Sequence, residues 1–409
     1  MIGSQLRDWA ELVAWCIAGV WGIRVTDLVK NLPTLPDLSQ QEWDVAPVGL
    51  PSLVVVVPAR DEAEHIAATM DALLMSDYRN LLIVAVDDRS TDATGEILDG
   101  YAALYAGRVK VIHVTELADG WLGKTFAMQL AMEQTESEYL LFTDADVLLS
   151  PSILRRALAY AEETEAAHLV VMPTMQVKSR GEGIVLGFFQ ILGMWATRPW
   201  RVPDPKAKRD SLGVGAFNMV RRDALMEIGG LEPQRLVVLE DITLGRRFKA
   251  AGLPQRVAFA PLQVLVHWAS GVQGLVRTMT KNIFSGVNFN PLLMLGACLW
   301  IVVFCLAPLA GIGWWTTTLP CLVVMCTITM AYRTMGEVSR IDARYGWLYP
   351  LGAVAFIYAM VRSMLVVFWQ GGVQWRGTLY PLRELRRHNS PMQWERAAAR
   401  GRKLERMKE

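Results

Sequence analysis

Apolar positions follow two patterns along this chain. Between 52 and 265, short apolar runs alternate with amphipathic stretches. LVVVVP (53–58) is an unbroken β-branched run that ends at Pro58, which suits a strand buried on both faces. A helical stretch at 62–75 follows, then LLIVAVD (81–87), a helix over 91–104, and RVKVIHV (108–114). The next helix starts near Lys124, YLLFTDAD (139–146) reads as the fourth strand, and Pro151 opens another helix at its first turn. Strand–helix alternation predicts an α/β domain with a doubly wound, mostly parallel sheet. In such sheets ligands bind beyond the carboxyl ends of the strands.

The second pattern is long and uncharged. Residues 292–312 are apolar throughout and long enough to span a bilayer. Residues 316–332 are shorter and include Pro320; 348–369 are apolar except for Arg362. Trp314, Trp315, Trp347 and Trp369 stand at the ends of these runs, as interfacial aromatics do. At the N-terminus 12–23 is apolar and reads as an anchor if 9–25 all take part, with an interfacial helix as the rival. It lacks the basic start and small-residue cleavage site of a removable signal. Arg24 and Lys30 after it place the following domain in the cytoplasm by the positive-inside rule. The stretch 183–200 reads as an interfacial helix, with a core helix as the alternative.

The resulting map has an anchor at 1–30, a four-proline linker at 31–51 and an α/β domain at 52–270. An interfacial amphipathic segment at 271–290, transmembrane helices over 291–370 and a basic tail at 371–409 complete it. The tail's 383–409 part reads as a cytoplasmic helix attracted by anionic lipid heads. Three full spans after a cytoplasmic domain would leave that tail outside, so 316–332 or 348–369 is expected to be re-entrant.

Composition sharpens this only in part. The 52% hydrophobic content fits an integral membrane protein, and 41 Lys+Arg against 40 Asp+Glu leave no nucleic-acid signature. All five cysteines fall inside the apolar segments, which argues against a disulfide framework or a cysteine-based metal site.

The chemistry gathers at the strand ends. The first strand ends in Pro58, Ala59, Arg60, Asp61 and Glu62; the second in Asp87, Asp88, Ser90, Thr91 and Asp92. GWLGK brings Lys124 after the third, and the fourth ends in Asp144 and Asp146, which share a face if they lie in a strand. Acids gathered at one rim call for a hard divalent cation or a polar ligand, and Mg²⁺ and Mn²⁺ favour one or two carboxylates with substrate phosphates and water. Read locally, each piece has a plainer explanation. Asp92 is a helix cap, Lys124 a solvated lysine, Asp144-Ala145-Asp146 a capped turn, and Asp241 a cap ahead of ITLGRRFKAAG.

VVVVPARDE, VDDRSTDAT, GWLGK, FTDADV, GGLEP and LEDITLGRRFKAAG, in that order and at these distances, resemble the inverting family 2 glycosyltransferases over about 52–290. With KNIFSG and the C-terminal membrane runs, the chain looks most like the branch of ceramide glucosyltransferase and the hopanoid-associated and carotenoid glycosyltransferases. That resemblance implies a GT-A-like nucleotide-sugar domain, a single N-terminal anchor and several C-terminal membrane helices. It implies Asp144 and Asp146 as the DxD pair, with Asp146 on the Mg²⁺ or Mn²⁺ and Asp144 near the ribose or the metal's water. Pro58, Ala59, Arg60 and Glu62 would line the nucleoside, Asp87 or Asp88 would face the base, and Lys124 would lie near the diphosphate. Asp241 would be the catalytic base, beside Glu240. GVGAFNMVRR and IGGLEP, with Gly213, Gly215, Gly229 and Gly230, would allow close approach to the sugars.

The Q-x-x-R-W motif of processive relatives is missing: the corresponding stretch carries Gln273, Arg277 and Lys281 without an Arg-Trp pair. That favours transfer of one sugar over polymer synthesis. Arg277 and Lys281, at i and i+4, are placed to meet the acceptor or donor diphosphate, or to snorkel at the bilayer surface. The implied partners are a nucleotide-diphospho-sugar, a lipid hydroxyl acceptor and the membrane. Two other readings stand beside this one: sugar transfer to a polyprenyl phosphate, which needs no base, and a non-catalytic membrane scaffold that keeps the fold.

Overall fold

The computed structural model describes residues 2–388, so the 389–409 part of the basic tail lies outside the described residues. Two compact units emerge. One comprises Met1–Thr34, Val177–Ala196 and Trp268–Val373; the other comprises Leu35–Gln176, Thr197–His267 and the chain from Gln374.

The strands in chain order are β1 (Leu53–Ala59), β2 (Leu81–Asp88), β3 (Val109–Val114), β4 (Tyr139–Phe142), β5 (Val147–Leu149) and β6 (His168–Met172). They continue as β7 (Thr174–Met175), β8 (Asn218–Arg221), β9 (Gln255–Phe259), β10 (Val264–Val266), β11 (Gly372–Trp375) and β12 (Thr378–Pro381). The helices begin with α1 (Ile2–Asn31), α2 (Ile66–Leu74), α3 (Thr94–Leu104), α4 (Gly123–Glu133) and α5 (Ile153–Glu163). Then come α6 (Arg180–Ala196), α7 (Arg222–Glu227), α8 (Glu240–Ala251), α9 (Gly271–Gly286) and α10 (Pro291–Ile301). The last are α11 (Ala307–Gly311), α12 (Trp315–Ser339), α13 (Tyr349–Gln370) and α14 (Leu382–His388).

In the polar unit a seven-stranded sheet runs β3-β2-β1-β4-β8-β6-β9. All neighbours are parallel except β8, which is antiparallel to both β4 and β6. β1 is central because its β-branched run is apolar on both faces. Val55 and Val57 pack with Ile66, Met70 and Leu73 of α2, whereas Val54 and Val56 pack with Ala127, Met128 and Ala131 of α4. A small sheet, β5-β10-β7, lies beyond it.

Several boundaries differ from the sequence expectation. β4 stops at Phe142, and Asp144 and Asp146 fall in a turn before β5, so the argument from strand alternation does not apply to them. Helix α2 starts at Ile66 and α3 at Thr94, because 60–65 and 89–93 form loops that bond to each other; Pro151 lies in the turn ahead of α5. The 31–51 stretch packs on this unit. Leu38 is fully buried, its N–H donates to the Phe259 carbonyl (2.7 Å), and the Phe259 N–H donates to Pro36 (2.8 Å). Trp43 stands edge-on to Tyr160 with ring centroids 4.9 Å apart.

In the apolar unit, among the described residues, four helical stretches are long and apolar enough to cross a membrane. They are Arg7–Thr34, Pro291–Gly311, Trp315–Ser339 and Ala343–Gln370. Helix α12 runs unbroken past Pro320, and α13 unbroken past Arg362. The 183–200 stretch falls largely in α6, which buries Val185, Leu186, Phe188, Ile191 and Met194 and packs against α13. The absent side chain of Gly352 admits the Ile184 carbonyl and the Phe188 ring there.

Candidate active site

The first two loops of the polar unit are bonded together. The Asp61 N–H donates to Ser90 Oγ (3.0 Å), and Asp61 Oδ1 accepts from the Thr91 N–H (2.7 Å). The Glu62 N–H donates to Thr94 Oγ1 (2.8 Å), and Ala63 donates to Asp92, which also caps Thr94. Asp61 takes a positive φ of 53° to make this junction. Asp87 and Asp88 are both buried at the end of β2. Asp87 accepts from Ser90 and pairs with His113 (3.1 Å), which pairs in turn with Asp99; Asp88 holds Arg89 at 2.7 Å. Asp99 and then Asp87 raise the His113 imidazole above its usual range. Arg60, between Ala59 and this junction, has a buried Nε without a hydrogen bond.

The Asp144–Asp146 turn is pinned from both sides. Thr69 Oγ1 of α2 donates to the Ala145 carbonyl (2.8 Å), and Thr143 Oγ1 donates to the Ala216 carbonyl (2.8 Å). Gly215, next to Ala216, lies so close that a Cβ there would stand 2.5 Å from Asp144 Oδ2. At Gly213 a Cβ would collide with the Asp241 carbonyl, so the chain approaches the start of α8 this closely because Gly213 lacks a side chain.

Lys124, at the first turn of α4, joins the two groups of acids. Its ammonium is 2.5 Å from Asp144 Oδ1 and 2.6 Å from Glu240 Oε1. Burial works to lower its pKa, but Asp144, Glu240 and Asp241 overcome this and hold it well above the usual lysine value. Among the described residues, the Asp241 carboxylate accepts from the Ile242 N–H alone (2.7 Å), and with Pro58, Lys124, Gly215, Asn218 and Glu240 it lines a small cavity. Burial, and then the Glu240 charge, push its carboxyl up to about 7.

Asp146 is raised to about 6 by burial, then by Asp144 and Glu62. Its negative charge is crowded by others, and among the described residues no cation is bonded to it, since Lys124 is spent on Asp144 and Glu240. Among the described residues, no group of three or more His, Cys, Asp or Glu could hold a metal. Asp146 and Asp144 offer oxygen donors of the kind that Mg²⁺ and Mn²⁺ take together with water and phosphate, and Lys124 already occupies Asp144 Oδ1.

Pro58, Ala59, Arg60, Glu62, Asp87, Asp88, Lys124, Asp144, Asp146, Gly215, Gly230, Glu240 and Asp241 all lie in the polar unit. Gly230, at φ 64°, belongs to a turn whose carbonyl accepts from buried Arg247 (2.6 Å). Gln273, Arg277 and Lys281 lie on α9 of the other unit. Four residues that the sequence reading did not assign contact the strand-end residues or the start of α4. Arg89 pairs with Asp88, and His113 with Asp87. Arg376, at the β11–β12 turn, pairs with Glu62, and the Tyr380 hydroxyl meets the Gly123 N–H. A signal existed for the hairpin: Arg376-Gly377, at φ 49° and 80°, is a two-residue turn between short alternating runs.

Residues 54–229 match the family described as Glycosyl transferase family 2, a match that ends before Asp241. The 4,4'-diaponeurosporenoate glycosyltransferase of Staphylococcus haemolyticus is 26% identical over 271 residues, 64% of this chain and 69% of that protein. The beta-monoglucosyldiacylglycerol synthase of Synechocystis is 30% identical over 156 residues, 37% of this chain and 31% of that protein. A solved mannosyltransferase of Pyrobaculum calidifontis, in complex with GDP-Man and Mn²⁺, has a TM-score of 0.50 at 16% identity. The comparison covers 88% of this chain and 99% of that one, and it shows a shared GT-A-like fold. The sheet and the family match agree: this chain is a glycosyltransferase that carries a family 2 domain over residues 54–229.

Proposed function

We propose that the protein is an integral membrane enzyme that moves a single sugar, with inversion, from a nucleotide-diphospho-sugar to a lipid hydroxyl. The observation that carries this is Asp241: a carboxylate at a cavity wall, raised to about 7 and lacking a bonded cation of its own. A base titrating near neutrality suits proton removal from an alcohol. In the step, the acceptor oxygen bonds to the anomeric carbon, the bond from that carbon to the diphosphate breaks, and the acceptor's proton passes to Asp241. The nucleoside diphosphate leaves. Arg60, whose buried Nε makes no hydrogen bond and lies 3.9 Å from Asp61 Oδ2, and the joined loops at Asp61 and Thr91 are the nucleoside's seat in this reading. Asp146 and Asp144 would hold Mg²⁺ or Mn²⁺, which when bound supplies charge stabilisation to the departing diphosphate. Lys124 keeps Asp144 and Glu240 close without competing for Asp146. The lipid acceptor draws support from the four apolar helices and from relatives whose names specify lipid or carotenoid-acid substrates.

The catalytic unit is assigned to the cytoplasm from Arg24 and Lys30. Arg376 pairs with Glu62 within the polar unit, which supports an even number of complete crossings among the three later apolar stretches.

The test incubates purified full-length protein and Mn²⁺ with labelled nucleotide sugars and either membrane lipid alcohols or a polyprenyl phosphate. Transfer to an alcohol, with an anomeric configuration opposite to the donor's, is expected. Product on the polyprenyl phosphate alone would assign the rival acceptor, and absence of nucleotide release from every donor would sink the enzymatic reading.

A further inference from the structure

Arg362 stands in an unusual place for a charge. Tyr358, Arg362, Leu365 and Trp369 recur at steps of four, three and four, so they form one stripe of α13. Tyr358 and Leu365 are each 58% exposed and Trp369 is 86% exposed, which marks this stripe as the lipid-facing side of a membrane helix. Arg362 is seven residues before Trp369, about 10 Å along the helix axis from that interfacial aromatic. A guanidinium at this depth is costly unless its charge is met.

Among the described residues, the partner that meets it is a neutral group. Arg362 Nη1 donates to Thr280 Oγ1 of α9 (2.9 Å), and that hydroxyl donates onward to the Val276 carbonyl (2.6 Å). The neighbouring Ser363 fixes the seam: its Oγ donates to the Thr280 carbonyl (2.5 Å) and accepts from the Phe284 N–H (3.1 Å). Arg362 is thereby held, half-buried, against α9, and this bond uses one of its five N–H donors. On α9, Arg277 is exposed and lies within about 60° of Thr280 around the helix. Helices α9, α10 and α13 contain no Asp or Glu. Two arginines thus flank a fixed, acid-free seam beside a lipid-exposed stripe.

We propose that Arg362, reinforced by Arg277, binds the phosphodiester of an anionic bilayer phospholipid at the α9–α13 seam. The lipid-facing stripe selects this occupant: a bilayer phospholipid reaches Arg362 from the side with its chains already against Tyr358 and Leu365. The site is separate from Asp144, Asp146 and Asp241 and does not depend on which sugar is moved.

The test delipidates the full-length protein in neutral detergent and titrates it with phosphatidylglycerol, phosphatidylcholine or a polyprenyl phosphate, counting bound lipid by native mass spectrometry. Phosphatidylglycerol should be retained in preference to phosphatidylcholine and to the polyprenyl phosphate. Arg362→Gln should weaken its binding about fivefold, the worth of one basic contact at an anionic surface. Arg362→Lys, which keeps the charge, should restore most of it. Equal retention of phosphatidylglycerol and phosphatidylcholine by the native protein, or stronger retention of the polyprenyl phosphate, overturns the proposal. So does Arg362→Gln that melts like the native protein and binds phosphatidylglycerol equally well. If Arg362→Gln misfolds, the native comparison and Arg362→Lys still decide.

Discussion

The Lys124 ammonium lies 2.6 Å from the Glu240 carboxylate, although 116 positions separate them in the chain. This contact brings the start of α4 onto the start of α8 and leaves Asp241 next to the pair. Lys124→Met removes the one cation that, among the described residues, is bonded to Asp144 and Glu240, and leaves buried negative charge behind. Breaking such a pair costs about 3 kcal/mol. The variant should melt several degrees lower and transfer sugar at least tenfold more slowly, with Lys124→Arg intermediate. Native-like melting of Lys124→Met would show that the acids are neutralised by something else.

Asp146 places function against stability. Its carboxyl is raised to about 6, so the folded state holds a proton more tightly than the unfolded chain does. Stability from this group is therefore highest in acid and declines as pH rises through 3.8 to 6, a deficit of roughly 1–3 kcal/mol at neutral pH. Asp146→Asn should remove that deficit, melting higher than the native protein when both are metal-free, while losing transfer. Mn²⁺ should raise the native melting temperature and leave the variant's unchanged. Equal Mn²⁺ stabilisation of the two would remove Asp146 from the metal site.

The sequence disclosed what short-range chemistry determines. β1 was visible because five consecutive β-branched or aliphatic residues admit only a doubly buried strand, and Asp144 and Asp146 because acids interrupt an apolar run. The turn that holds them was not visible. It depends on Thr69 donating to Ala145 and Thr143 donating to Ala216, bonds across 76 and 73 positions that leave no local pattern. The bonds of Lys124 to Asp144 and Glu240, 20 and 116 positions away, left no local pattern either. Arg376 escaped notice since it follows the last apolar helix, where a basic tail was the simplest reading. The 31–51 stretch read as a linker from its prolines, whereas Leu38 and Trp43 are fitted against β9 and α5.

His168 gives the polar unit an acid limit unrelated to catalysis. It is fully buried, its Nε2–H donates to Asn218 Oδ1, and its Nδ1 accepts from Gln255 Nε2 (2.6 Å). Burial pushes its pKa down to about 4, below the unfolded value of 6.5, so the unfolded chain takes up the proton first as pH falls. The contribution is complete above pH 6.5 and fades towards pH 4, by up to about 3 kcal/mol. Denaturant unfolding at pH 7.5 and pH 5 should therefore show a larger acid loss for the native protein than for His168→Gln. Identical losses would mean that the imidazole is already charged in the folded state.

Asp241 carries the chemical reading. Asp241→Asn keeps the shape of the side chain and its bond from the Ile242 N–H, but it has no carboxylate to take the acceptor's proton. A positioned base contributes about 10²–10⁴-fold, roughly 3–5 kcal/mol of barrier. The variant should lose transfer by that factor while binding the donor with near-native affinity, because Arg60, Asp146 and the Asp61–Thr91 junction are untouched. The sign with pH follows from the raised carboxyl. A base must be ionised, so native transfer should increase as pH rises through about 7 rather than through the usual carboxylate range near 4. Donor binding and transfer measured on one preparation across pH 5–9 separate the alternatives. A variant within about threefold of the native rate, with the same acid limb, would make Asp241 a helix cap and require the base to be sought elsewhere on the cavity wall.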